Sequence, residues 1–149
     1  MHISIGNTKI DVDVEATRLA YAKMNTSGPE ECGCSFCRNW AAQREAAYPA
    51  SVRELLEAMG IRFGFETEVW DCQWDNHRRY CSGWYPFVGR IIHESEEPTD
   101  MDGMEIFAAK GLSYSAPWFP AEDVHEIHFS TVVDWILNEP AEIDPGEPT

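Results

Sequence analysis

The sequence predicts an α+β fold, an antiparallel sheet with a helix pair on one face, and three observations carry that expectation. Residues 1–14 and most of the chain beyond residue 61 alternate apolar and polar side chains with the period of two that strands require. Two segments between them, about 35–47 and 51–59, carry apolar residues at helical spacing instead. Before those helices come a hairpin and a polar loop, so the βαβ context of a parallel sheet is missing.

The N-terminal hairpin follows from its own register. With Gly6-Asn7 as the turn, Ile5 faces Thr8 and Ile3 faces Ile10, which puts the apolar side chains on one face and Asp11 and Asp13 on the other. Glu15 to Lys23 reads as a short helical or coil segment with Leu19, Ala20 and Lys23 at helical spacing. Asn25-Thr26-Ser27-Gly28-Pro29 then stops it. In the first helix of the pair, Phe36, Trp40 and Ala47 face inward and Arg38, Gln43 and Arg44 stay in water, with Pro49 ending the run. The second has Ser51 and Glu54 in a capping box, the stripe Val52, Leu55, Leu56 and Met59, and Gly60 at the C′ position.

Two strands follow, Glu66–Gln73 and Tyr80–His93, joined at Asp75-Asn76-His77. Pro86 inside the second is expected at a sheet edge or a bulge. Residues 94–103 read as an acidic loop, and 104–109 and 124–136 as further strands. The last of these places Ile127, Phe129, Thr131, Val133 and Trp135 on one side. The result is one domain over 1–137, followed by an acidic, Pro-rich tail over 138–149.

Composition limits the partners. The net charge of −15, from 26 acidic and 11 basic residues, repels nucleic-acid phosphates and anionic membrane surfaces, so the expected macromolecular partner is a basic protein. No segment has the apolar length of a spanning helix, and the N-terminus lacks signal-peptide character, which points to the cytoplasm. Thiols are reduced there, so five cysteines point to metal, redox or packing roles rather than to disulfides.

Three of the five lie within six residues, Cys32, Cys34 and Cys37, directly before a helix. Gly33 permits the tight turn that lets all three reach one zinc ion, with Cys72, Cys81, His77 or His93 as the candidate fourth ligand from elsewhere in the fold. A second reading takes Cys34-Ser35-Phe36-Cys37 as a redox Cys-x-x-Cys, and a third has the cysteines packing as small hydrophobes. Cys72 and Cys81 flank a turn and are expected opposite each other. His125 and His128 are expected on opposite faces of a strand. No Ser-His-Asp order, phosphate loop or paired carboxylates stand out. Among the aromatics, Trp70, Trp74, Trp84, Tyr85, Trp118 and Phe119 read mostly as core, with Trp118-Phe119 as a candidate exposed binding edge.

The succession Cys32-Gly33-Cys34-x-x-Cys37-Arg38-Asn39-Trp40, Tyr48-Pro49, 55–61 and Trp84-Tyr85-Pro86-Phe87-Val88-Gly89 resembles a family of small bacterial proteins of unknown function. Its members join such a cysteine segment to a Tyr-Pro helix and a β-rich second half. The resemblance covers roughly residues 31–89. It implies the fold and makes the cysteine cluster part of the design, and it implies no activity. Two function classes follow from the residues: a non-enzymatic interaction module of inhibitor or immunity type, with or without a structural zinc, and a thiol-dependent redox protein or enzyme.

Overall fold

The computed structural model describes residues 1–95 and 97–141, so 142–149 of the expected tail lie outside the described residues. The fold is α+β. β1 (His2–Ile5) and β2 (Thr8–Val12) form the expected hairpin, with Ile3 opposite Ile10 and Ile5 opposite Thr8. Helices α1 (Val14–Ala22), α2 (Gly28–Cys32), α3 (Ser35–Ala47) and α4 (Ala50–Ala58) follow. The remaining strands are β3 (Glu68–Gln73), β4 (Arg78–His93), β5 (Thr99–Met101), β6 (Met104–Ala109) and β7 (Val124–Asp134). Together the strands make a seven-stranded antiparallel sheet in the order β1-β2-β4-β7-β6-β5, with β3 also paired to β4.

β4 is the spine of this sheet. Over 16 residues it pairs with β3 through Arg79–Trp84, with β7 through Arg78–Val88 and with β2 through Gly89–His93. Pro86 therefore lies in a central strand, not at an edge or bulge. It is tolerated because it falls where β3 has ended and β2 has not begun. At that gap α1 covers the strand, and Tyr21 donates its hydroxyl to the Pro86 carbonyl at 2.7 Å. A missing N–H leaves no ladder bond broken there.

Three further local features differ from the sequence reading. The side-chain N-cap is found at Ser27, and no capping box forms at Ser51 and Glu54. The Ser27 hydroxyl caps α2 by accepting from the Glu30 N–H, whereas α4 starts at Ala50 after Pro49 and the Ser51 hydroxyl bonds Asp102 instead. Residues 94–103 are not wholly loop, because Asp102-Gly103, both at positive φ, close the β5–β6 hairpin. The start of the acidic tail is tied to α3, since Arg38 pairs with Glu139 and the Trp135 indole donates to the Glu139 carbonyl.

The core lies between α3, α4 and one sheet face. Val52, Leu56 and Met59 are fully buried and Leu55 is half-buried, as the stripe requires, while Trp40 stacks on Phe129 at 5.5 Å. Inside this core sits a carboxylate, Glu66, with no exposed surface. Its Oε2 accepts from Trp40 Nε1 (2.9 Å), the Tyr48 hydroxyl (2.9 Å) and Arg44 Nε (3.2 Å). Oε1 faces Arg44 Nη2 at 3.0 Å as an ion-pair contact without hydrogen-bond alignment. Arg44 is thus drawn inward, contrary to the wet position its spacing implied, because a buried carboxylate needs a counter-charge.

Removing one partner of such a pair leaves the other buried and uncompensated. Glu66→Ala should lower unfolding stability by about 3–5 kcal/mol, read from the urea midpoint. Tyr48→Phe, which removes one neutral donor, should cost about 1 kcal/mol. Equal midpoints for wild type and Glu66→Ala would contradict this account.

Candidate metal centre

The site is built by the way α2 is seated. Gly28 N–H donates to the Glu66 carbonyl at 2.9 Å, and a side chain at Gly28 would collide with the Thr67 carbonyl, its Cβ lying 1.9 Å away. Glycine thus lets α2 lie directly on the lead-in to β3. Arg44 Nη2 donates to the Ser27 hydroxyl at 3.2 Å, tying the same turn to α3. α2 then ends at Gly33, whose φ of 65° is the left-handed conformation that turns the chain sharply into α3.

That turn brings the cysteines together. Cys32 closes α2, Cys34 is the N-cap of α3, and Cys37 is three residues on, so Cys34 and Cys37 hold the two positions whose side chains approach each other in a capping box. Their Sγ atoms and that of Cys32 all lie within 4.8 Å of one another. Thiolates around tetrahedral zinc sit about 3.8 Å apart for a Zn–S bond of about 2.3 Å. The trio needs to contract by about 1 Å or less to hold such an ion.

The three thiols differ in environment. Cys32 is exposed, Cys34 half-buried and Cys37 buried. The Cys34 backbone N–H donates to Cys32 Sγ, and with hydrogen bonds from the Cys34 and Cys37 thiols it holds the Cys32 thiol below its ordinary value. Burial drives the Cys37 thiol well above its ordinary value, and the contacts with Cys34 and Cys32 add to that. Beside them Glu68 is half-buried, which raises its carboxyl, and its charge opposes ionisation of Cys32.

None of the expected fourth ligands joins the trio. Among the described residues the three cysteines form a group of their own, without Cys72, Cys81, His77 or His93. Cys72 pairs with Tyr80 and Cys81 with Asp71, so the two thiols are offset by one residue rather than opposite. Cys81 is buried, and that burial pushes its thiol up to about 12. An ion held by the trio would take its fourth ligand from outside this set, such as a water molecule.

Other titratable groups arrange differently. Glu126 is buried on β7 and accepts from Ser113 N–H (2.9 Å) and the Ser113 hydroxyl (2.7 Å), with His128 Nε2 at 3.0 Å. Burial works to raise its carboxyl, but these partners prevail and hold it low. The carboxylate stands between serine and histidine, so the imidazole is not placed to take the serine proton, and this is not a nucleophilic triad. His128 itself stacks between Trp84 and Phe107, while His125 points to the opposite face as expected.

The aromatics divide against expectation. Trp70 and Trp74 are exposed and pack on Tyr80, not in the core, while Trp84 and Tyr85 are buried. Trp118 is exposed as an edge, but Phe119 beside it is buried against Tyr21. Sequence reasoning missed the carboxylates Glu66 and Glu126. Among 26 acids nothing in their spacing marks them as buried.

Fold and site together define an α+β protein carrying a cluster of three thiols, graded from exposed to buried, that could hold a metal ion. Comparison with family models, curated proteins and solved structures finds no match for this chain. Its function is read from its own geometry.

The unlike thiols give a direct expectation. In the metal-free chain, iodoacetamide should label Cys32 well before Cys37 and Cys81, and the Cys32 rate should rise at lower pH than that of an ordinary cysteine. Peptide mapping by mass spectrometry reads the order. Cys37 labelling first would contradict the assignment.

Proposed function

We propose that the chain is a small acidic protein-interaction module whose α2–α3 elbow is pinned by a thiolate-bound metal ion, with zinc as the ion suited to the donor set. The carrying observation is the convergence of Cys32, Cys34 and Cys37 within 4.8 Å at a glycine-made turn. Thiolates favour soft or borderline cations, and an all-sulfur set disfavours magnesium and calcium. Bound there, the ion cross-links the end of α2 to the first turn of α3. The charge of −15 supports a basic partner and argues against nucleic acid and anionic membranes. Among the described residues no helix is long and apolar enough to cross a membrane. A reducing cytoplasm is the compartment that keeps five such thiols available.

One observation favours the second reading, a thiol-dependent redox protein. Cys32 is exposed, its thiol is lowered, and Cys34 lies beside it as a partner for disulfide formation. Against it, the Cys-x-x-Cys segment follows a helix, α2, in a protein with an antiparallel sheet, without the βαβ context in which such a redox motif works.

Elemental analysis of protein purified without chelator, paired with a thiol titration, separates the two. The metal reading expects about one zinc per chain and three thiols that react only after chelation. A metal-free chain with a reversible disulfide within the trio overturns it in favour of redox chemistry.

Zinc binding must also displace thiol protons. Apparent affinity should therefore fall as pH falls below the thiol range, by up to about a thousandfold per unit when three protons leave together. Competition titration with a zinc indicator measures the slope, and a pH-independent affinity would exclude a three-thiolate site.

A further inference from the structure

Next to the elbow, a groove of about 390 Å³ runs between the α1–α2 loop and the segment after β6. Its lining joins aromatic and acidic side chains. Tyr114 is exposed and lies stacked on Trp84, with centroids 5.8 Å apart and planes 24° apart. Trp118 is 42% exposed, while Phe119 anchors the same segment against Tyr21. Glu31 and Glu68 complete the wall, and no lysine or arginine lines it. Glu31 accepts a hydrogen bond from the Thr26 hydroxyl at 3.0 Å. Half-buried Glu68 has no ion pair among the described residues, unlike Glu66, whose charge Arg44 meets.

We infer that this groove receives a lysine or arginine side chain from a basic protein segment, its charge taken by Glu31 and Glu68 and its alkyl stem and cation by the faces of Trp118 and Tyr114. Two carboxylates without a lining cation make the wall electrostatically incomplete, and a chain of net charge −15 steers positive partners towards it. Exposed aromatic faces add the ring attraction that a cation finds and an anion does not. The volume lies within the range of sites that enclose a small group, which suits one long side chain and its flanking backbone. This inference rests on the interaction-module reading for the sign of the partner, and it does not rest on the metal.

The test uses the protein as isolated and a fluorescein-labelled peptide of alternating glycine and lysine, with a glycine–glutamate peptide and a glycine–leucine peptide as comparisons. Fluorescence anisotropy is read at roughly 0.15 M salt, where distant charges are largely screened. The lysine peptide should bind and the other two should not. Trp118→Ala and Glu68→Gln should each weaken binding by about fivefold or more, and Trp118→Phe should restore most of the loss. Glu54→Gln removes an exposed acid that does not line the groove, and it should change affinity by less than about twofold.

Equal losses in Glu54→Gln and Glu68→Gln would reduce the effect to the overall field and overturn the groove. Indifference to Trp118→Ala, or tighter binding of the leucine or glutamate peptide, would overturn it as well. Trp118 is exposed, so its replacement does not open the core, and far-UV circular dichroism of each variant confirms the fold. A chain isolated without metal would sink the zinc reading and leave this measurement intact, so the two proposals fail separately.

Discussion

The buried carboxylate of Glu66 organises the packing of α3 against the sheet. An ion without exposed surface must find its compensation inside, and here it draws Trp40, Arg44 and Tyr48 from α3 and its end onto one group. The network continues through the Tyr85 hydroxyl, which donates to Tyr48 at 2.9 Å and accepts from the Gly64 N–H at 3.2 Å. Burial keeps both phenols protonated, raising them well above their ordinary values. One acid thus registers a helix, a loop and the central strand against one another, with a directionality that apolar packing alone does not supply.

The same residue links the core to the cysteine cluster. Its carbonyl accepts from Gly28, and its partner Arg44 reaches the Ser27 cap, so α2 is held at the start of β3 by both backbone and side chain of this neighbourhood. The cysteine elbow therefore hangs from the rigid part of the molecule rather than from a free loop. A preformed cluster lowers the ordering cost of taking up an ion. At the same end of α3 as the cysteines, the buried Asp71–Arg79 pair, with Arg79 lying over the Phe36 ring, fastens the helix start to the hairpin of β3 and β4.

The two faces of the sheet have separate work. One is sealed by α3 and α4 over Tyr85, Phe129, Ile127 and Ile106. On the other, Tyr114, Trp84, His128 and Phe107 stack in a row across β4, β7 and β6, and the segment after β6 folds over them to form the groove. Thiol cluster and groove share α2, since Glu31 lines the groove and Cys32 follows it in the chain. An ion held by the three thiols would fix one wall of the groove together with the elbow.

Whatever depends on local periodicity was legible in the residues alone. The hairpin register, the bounds of α3, the buried stripe of α4 and the convergence of Cys32, Cys34 and Cys37 all follow from spacing within a few residues. A local preference gave way where a distant partner outweighed it. Ser51 has the chemistry of a cap but bonds Asp102, Arg44 has the spacing of a wet residue but answers Glu66, and Pro86 sits centrally because α1 fills the gap in the ladder. Asp102-Gly103 has the residues of a two-residue hairpin turn, although the acidity of residues 94–103 suits a loop equally well. Long-range packing set which acids are buried, which aromatics are exposed, and that none of the four candidate residues completes the thiol set. Those outcomes depend on contacts between residues tens of positions apart, which periodicity does not encode.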